Sequence, residues 1–238
     1  MNCYQKIKSE GNKFGFLIDP DNYGKDKLDM AIEAANSANV HFILLGGSLV
    51  SQRLDSYIDR IKAKTSIPII LFPGNLLQLS DKADSLLFLS LISGRNPEYL
   101  IGNHVLAAPF IKNCGIECIP TAYVLIDGGN VSSVEYISNT KPIPAEKTDI
   151  IVATAIAGEL MGNKLLYLEC GSGAQKSIDP NTVRKICQNV TIPVIVGGGL
   201  CSVEQITDIL SAGAKMVVVG NALENKLDDI KNLVLSTQ

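Results

Sequence analysis

The chain has 238 residues, 46% hydrophobic and 19% charged, a balance that suits one domain with a substantial core and excludes a disordered chain. Its net charge of −3, with no basic stripe, argues against nucleic acid as a partner, and its longest apolar runs are strand-length, short of the roughly 20 residues a bilayer span needs. Six scattered cysteines without C-x-x-C spacing, and an N-terminus without an apolar stretch, lead us to expect a cytoplasmic protein with reduced thiols. A zinc site at Cys114 and Cys118 would need further ligands, and His41 and His104 are the only histidines in the sequence.

Apolar strand-like runs alternate with segments of helical period. Strands are predicted at 14–19, 42–45, 69–72, 86–89, 121–126, 165–169, 194–196 and 216–219. Helices are predicted at 25–38, with Leu28, Ala31, Ile32 and Ala35 on one face, and at 52–64, 97–113, 150–161, 180–188, 203–212 and 227–235. The alternation breaks after the third strand, where Pro73-Gly74-Asn75 leads into a stretch too short for a crossover helix and two loops. A long insertion, 128–148, follows the fifth strand. Near-continuous hydrophobicity means a parallel sheet buried on both faces. Strict alternation over one domain length gives a single α/β domain spanning 1–238, a closed (β/α)8 TIM barrel whose third helix is replaced by an irregular segment.

Three late strand ends carry glycines: Gly171-Ser172-Gly173, Gly197-Gly198-Gly199 and Gly220-Asn221. Glycine lets backbone N–H groups approach an anion, and a following helix N-terminus adds partial positive charge. Successive ends of this kind are what a TIM barrel offers a phosphate beside its last strands. Glu169 stands at the end of an apolar strand directly before the first of them. A carboxylate there suits holding or deprotonating a hydroxyl of a phosphorylated substrate, and Tyr167, two residues earlier on the same side, can share that hydroxyl. The alternative is a salt bridge from Glu169 to Lys164.

Other strand ends carry further polar groups. Asp19 ends strand one and Asp21 follows two residues on; hard oxygen ligands suit Mg²⁺, and both side chains equally suit capping the next loop. Ser48 closes a Gly46-Gly47-Ser48 turn beside Asp19. Asp127 lines the mouth or forms a turn in Asp127-Gly128-Gly129. Arg95 and Asn96 meet a second anionic group or cap the helix at Pro97. Both histidines are expected to be structural.

In this order Ile18-Asp19-Pro20-Asp21, Gly46-Gly47-Ser48, the stretch from Ser90 to Pro97, the stretch from Tyr167 to Ala174, Val196-Gly197-Gly198-Gly199 and Gly220-Asn221 closely resemble the geranylgeranylglyceryl phosphate synthases, bacterial members included. The resemblance covers nearly the whole chain. It implies a TIM barrel lacking the third helix, and a prenyltransferase. The reaction joins the 3-hydroxyl of sn-glycerol 1-phosphate to a polyprenyl diphosphate, geranylgeranyl for choice, giving an ether lipid precursor and diphosphate. Carried over by position, Asp19 and Ser48 resemble the Mg²⁺ ligands. Tyr167, Leu168, Glu169, Cys170, Gly171, Ser172 and Gly173, with Gly198, Gly199, Gly220 and Asn221, resemble the glycerol phosphate site. A homodimer or hexamer with at most peripheral membrane contact is implied. The chain departs from the family at Asn22, where lysine is common, and at Gly128, where proline is usual. Two rival readings stay open: a sugar-phosphate isomerase or cyclase of the histidine or tryptophan pathway type using Asp19 and Asp127, and a non-catalytic phosphate-binding barrel.

Overall fold

Eight parallel strands close on themselves in chain order in the computed structural model, which describes residues 1–224 and 226–237. They are β1 (Lys13–Ile18), β2 (Phe42–Leu45), β3 (Ile69–Leu71), β4 (Ser85–Leu91), β5 (Glu117–Leu125), β6 (Leu165–Glu169), β7 (Val194–Gly197) and β8 (Met216–Val219). Closure is made at β1, where Gly15 lies opposite Phe42 of β2 on one side and Val218 of β8 on the other.

Each strand is apolar on both faces because each face has its own layer to fill. Phe42, Leu44, Ile70, Leu87, Tyr123, Leu165, Tyr167, Ile195, Met216 and Val218 pack in the barrel interior. The alternate residues, among them Ile43, Leu45, Leu71, Val124, Leu166, Leu168, Val196 and Val217, pack outward against the helices. Those helices are α2 (Lys25–Ala38), α3 (Leu54–Lys62), α4 (Asn103–Cys114), α6 (Thr148–Leu160), α7 (Pro180–Cys187), α8 (Val203–Ser211) and α10 (Ile230–Leu235). The apolar stripe read on 25–38 is the one buried: Leu28, Ala31, Ile32 and Ala35. Among the described residues no helix is long and apolar enough to cross a membrane.

No α-helix separates β3 from β4; a 3₁₀ turn, Leu76–Gln78, stands there. Other features depart from the sequence-based elements. A short α1 (Cys3–Lys8) plugs the bottom of the barrel with Cys3 and Ile7, and Glu117 at the foot of β5 accepts from the N–H groups of Cys3 (2.7 Å) and Tyr4 (3.2 Å). Only tertiary contact makes so short a helix stable. Strand β5 begins four residues earlier than predicted, at Glu117 rather than at Thr121, since Pro120 mid-strand reads as a breaker. It is tolerated because β6 pairs with β5 only from Thr121 onward. The helix predicted at 97–113 opens as a π-helical turn, Glu98–Gly102, before α4. The insertion after β5 carries α5 (Ser133–Ser138), capped by Ser132, and is held to the barrel by a bridge between Ile126 and Ile143. The chain continues past β8 through α9 (Asn221–Glu224), and α10 packs on α2.

Replacing Leu166, fully buried between barrel and helices, by alanine is expected to destabilise the fold by about 2–5 kcal/mol. The same change at Val131, which is 73% exposed, is expected to alter stability by about 0.5 kcal/mol or less. Urea unfolding of the two variants measures both.

Candidate active site

A cavity of about 470 Å³ opens at the carboxyl ends of the strands. The turns after β6, β7 and β8 line it with Gly171, Ser172, Gly173, Gly198, Gly199, Gly220 and Asn221, and Asp19 and Ser48, after β1 and β2, line it next to them. The Ser172 hydroxyl donates to Asn221 Oδ1 at 2.8 Å, which ties the β6 turn to the β8 turn. Gly198 and Gly199 have φ of +79° and +71°, and a Cβ on Gly198 would lie 2.3 Å from Glu169 Oε1. The β7 turn is therefore pressed against Glu169 as only glycine permits.

The helix N-termini contribute less than the sequence suggested. α7 begins only at Pro180, well beyond the β6 turn. α8 spends its N-terminus on its own capping box, with Ser202 accepting from Gln205 N and Gln205 Oε1 accepting from Ser202 N. Only after β8 does a helical turn, α9, follow the glycine directly. Loop N–H groups are the main resource of this cradle.

Glu169 lies at the inner end of β6, 6% exposed, with Oε1 accepting from Gly171 N at 2.7 Å. Burial pushes its carboxyl up to about 7, against the opposing pull of the Gly171 N–H and the Tyr167 hydroxyl. Lys164 is no partner for it: that residue precedes the strand at its far end, with its ammonium over the Tyr4 ring, 5.7 Å from the centroid. Tyr167 is fully buried, stacked on Phe72 and Tyr123 at centroid distances of 4.9 and 5.6 Å. Its hydroxyl sits beside the Glu169 carboxylate, close enough to lower that carboxyl's pKa but without a well-aligned hydrogen bond among the described residues. Burial and the neighbouring carboxylate hold this phenol far above its ordinary pKa, so it stays a neutral donor. A buried hydroxyl without a partner, facing a cavity, is suited to a ligand oxygen.

Two of the residues carried over to the glycerol phosphate site point elsewhere. The side chains of Leu168 and Cys170 are buried in the layer between barrel and helices, because alternation along β6 turns them outward when Tyr167 and Glu169 turn in. The Cys170 N–H is spent on Gly197 O (3.3 Å), and burial pushes its thiol up to about 12, so it remains protonated.

At the end of β1 Asp19 accepts from Asp21 N at 3.1 Å through Oδ1, while Oδ2 lies against Gly47. Burial, and then the charges of Asp21 and Glu224, raise its carboxyl above the ordinary value. Glu224, which the sequence reading did not single out, lines the same cavity and accepts from Asn22 Nδ2 at 3.0 Å. Among the described residues no three His, Cys, Asp or Glu side chains converge as a metal cage. Asp19 and Ser48 line the same cavity, and this pair of oxygen donors fits Mg²⁺, which takes one or two carboxylates and completes its shell with water and substrate phosphate oxygens.

The remaining candidates serve the loops. Asp21 accepts from Ser51 N (2.9 Å) and Ser51 Oγ (3.0 Å), and Asp127 accepts from Gly129 N at 2.8 Å in a tight turn. Arg95 donates to the carbonyls of Ile92, Ser93 and Gly94, and Asn96 bridges Glu98 N and Ser138 O. His41 accepts from Phe14 N at 3.1 Å through Nδ1, at the foot of the barrel. His104 is bonded to Ser90 Oγ through Nε2 (2.9 Å).

A second, apolar groove adjoins the first cavity. The two share Gly47, Ser48, Phe72, Tyr123 and Val134, and the groove runs between Leu76 and Leu79 of the segment after β3, Leu86 and Phe88 of β4, and Tyr99, His104 and Ala107 at α4. Val134 and Ile137 of α5 cover part of it. Phe72, Tyr123 and the α5 residues escaped the sequence reading because nothing local marks a strand residue as facing two cavities.

The profile of the PcrB family matches residues 5–238. A protein of Chitinophaga pinensis named geranylgeranylglyceryl phosphate synthase is 47% identical over 235 residues, covering 98% of this chain and 93% of its own. One of the same name from Spirosoma linguale is 42% identical over 235 residues, covering 98% and 94%. The crystal structure of (S)-3-O-geranylgeranylglyceryl phosphate synthase from Thermoplasma acidophilum, in complex with its substrate sn-glycerol-1-phosphate, superposes with a TM-score of 0.93 at 33% identity, covering 100% of this chain and 98% of that one.

The raised Glu169 pKa also bears on stability. The folded protein holds that proton up to about 7, whereas an unfolded chain releases it near 4.5, so this group's contribution is full at low pH and is lost as pH rises through 7. Glu169→Gln is expected to gain stability over the parent on going from pH 5 to pH 8, by up to roughly 3 kcal/mol. Urea unfolding at the two pH values measures it, and an equal difference at both would contradict the buried charge.

Proposed function

The chain belongs to the PcrB family, and from that membership and the site we propose that it is a prenyltransferase. It joins the 3-hydroxyl of sn-glycerol 1-phosphate to a polyprenyl diphosphate, giving a prenylglyceryl phosphate and diphosphate. The observation that carries this reading is a cavity and an adjoining groove that share Gly47, Ser48, Phe72, Tyr123 and Val134 as walls. A glycine cradle lies beside the buried Glu169–Tyr167 pair, Asp19 and Ser48 form the rim next to it, and the apolar groove leads away from the shared walls. A sugar-phosphate isomerase has no use for the groove, and Asp127, the second acid that such a reading needs, is committed to its own turn.

The phosphoryl group of glycerol phosphate sits on the turns after β6, β7 and β8, held by loop N–H groups and the Ser172–Asn221 bridge. Its free hydroxyl lies at the Glu169 carboxylate, with the Tyr167 phenol donating to the same oxygen. Glu169 takes the hydroxyl proton as the oxygen bonds to C1 of the prenyl group, and the bond from C1 to the diphosphate oxygen breaks. A carboxyl titrating near 7 is matched to accepting a proton at neutral pH, which an exposed glutamate near 4.5 does less well. Asp19 and Ser48 would hold Mg²⁺, whose charge compensates that of the departing diphosphate. The prenyl tail lies in the groove, each buried CH₂ contributing about 0.8 kcal/mol. Ile101 of the π-helical turn and Val105, Leu106 and Phe110 of α4 are exposed and support self-association of this chain through these residues.

Purified protein with Mg²⁺, labelled sn-glycerol 1-phosphate and a panel of prenyl diphosphates, with the lipid product sized, tests the reading. Metal-independent turnover of an aminoaldose phosphate would replace it, and tight glycerol phosphate binding without product would reduce the protein to a binding barrel. Glu169→Gln is expected to lower kcat by roughly 10²-fold or more while leaving glycerol phosphate affinity within a few-fold. The parent's kcat/KM should fall as pH drops below about 7. Asp19→Ala is expected to raise the Mg²⁺ concentration needed for activity, read from activation curves; full activity of the parent in EDTA would remove the metal from the scheme.

A further inference from the structure

The segment that replaces the helix after β3 contains a side chain whose burial the reaction scheme above leaves unexplained. Gln78 is 1% exposed, at the end of the three-residue 3₁₀ turn Leu76–Gln78. Its amide is paired like a strand partner with the peptide groups of one residue: Oε1 accepts from Gly47 N at 3.1 Å, and Nε2 donates to Gly47 O at 2.7 Å. A buried amide is costly unless satisfied, and here the partner is a single glycine between two functional neighbours.

Gly47 is that hinge. A Cβ on it would lie 2.6 Å from Asp19 Oδ2, and the next residue is Ser48. The turn is also pressed from the other side, since a Cβ on Gly74 would lie 2.3 Å from Gly47 O and 2.8 Å from Ser48 Cα. The Gly46-Gly47-Ser48 turn therefore takes its position largely from the segment after β3. That same segment sends Leu76 and Leu79 into the apolar groove.

We propose that Gln78 is a positioning residue for the transfer reaction: by clamping Gly47 it sets the placement of Ser48 against Asp19, and so the rim that receives the diphosphate. The inference rests on reading Asp19 and Ser48 as that rim. Packing alone would not select glutamine, because methionine fills the same length without polar groups to satisfy. The clamp reaches the diphosphate side of the site and leaves the phosphate cradle, built from the turns after β6, β7 and β8, untouched.

Gln78→Met keeps the volume and removes both bonds. Its Mg²⁺-dependent affinity for a non-ionising geranylgeranyl S-thiolodiphosphate, measured by calorimetry, is expected to weaken at least tenfold, and kcat to fall about 10–100-fold. The Kd and KM for sn-glycerol 1-phosphate should stay within about twofold, a split that general unfolding would not produce. Asn75→Ala is the milder second variant. Asn75 Oδ1 accepts from Leu77 N at 2.9 Å, so its loss loosens the turn carrying Gln78, and a smaller change in the same direction is expected. Unchanged thiolodiphosphate affinity in Gln78→Met, or in Asn75→Ala if the methionine variant does not fold, overturns the proposal, as does equal weakening toward both substrates. Asp19→Ala in the same calorimetry separates the two ideas. If it binds the thiolodiphosphate as the parent does, the rim reading itself fails; if it loses binding while Gln78→Met does not, the clamp alone is wrong.

Discussion

Because β1 pairs with β8 as well as with β2, each strand has a neighbour on both sides, and the sheet can close only with all eight carboxyl ends on one rim. Everything chemical in this protein follows from that convergence. Asp19, Ser48, Glu169, Gly198 and Gly220 lie far apart along the chain and are brought to one cavity by strand closure, without any loop having to reach across. The interior is filled by the side chains of alternate strand residues, so the barrel is solid below the rim and the site has a rigid floor.

On that floor sits a group that a folded protein accommodates only at a cost. Glu169 is almost out of water, has one firm hydrogen bond, and has no cation among the described residues that shifts its pKa. The fold holds it there by placing glycines where any side chain would collide, Gly198 against its carboxylate and Gly197 against Tyr167. Burial lifts its pKa toward neutrality against the pull of the Gly171 N–H and the Tyr167 hydroxyl, and Tyr167 is itself held by stacking on Phe72 and Tyr123. Stability is given up at this position in keeping a carboxyl that titrates near neutrality, as the base role proposed for it requires.

The missing helix after β3 has two consequences. It leaves the flank of the barrel open, so an apolar groove runs from the rim down between β4 and α4. It also frees the short replacement segment to pack on the β2 turn from above, where a helix on the barrel's outer surface could not reach. The polar and apolar halves of the site thus meet in a few residues, Gly47, Phe72 and Tyr123 among them, that belong to both.

Local pattern alone determined the number and order of the strands, the parallel sheet, the absence of the third helix and the glycine turns after β6, β7 and β8. Each of these is written in short-range physics: apolar runs, helical period, and the steric freedom of glycine. The sequence also marked Glu169, since a carboxylate closing an apolar strand is conspicuous by its cost. Pairing partners were not legible. Asp21, Arg95, Asn96 and Asp127 look as reactive on paper as Asp19, and only the folded chain shows them bonded to Ser51, to neighbouring carbonyls, to Ser138 and to Gly129. The cavity-facing Phe72 and Tyr123, Glu224, and the clamp of Gln78 on Gly47 likewise depend on which residues long-range pairing brings together, and a chain read in one dimension carries no record of distance in three.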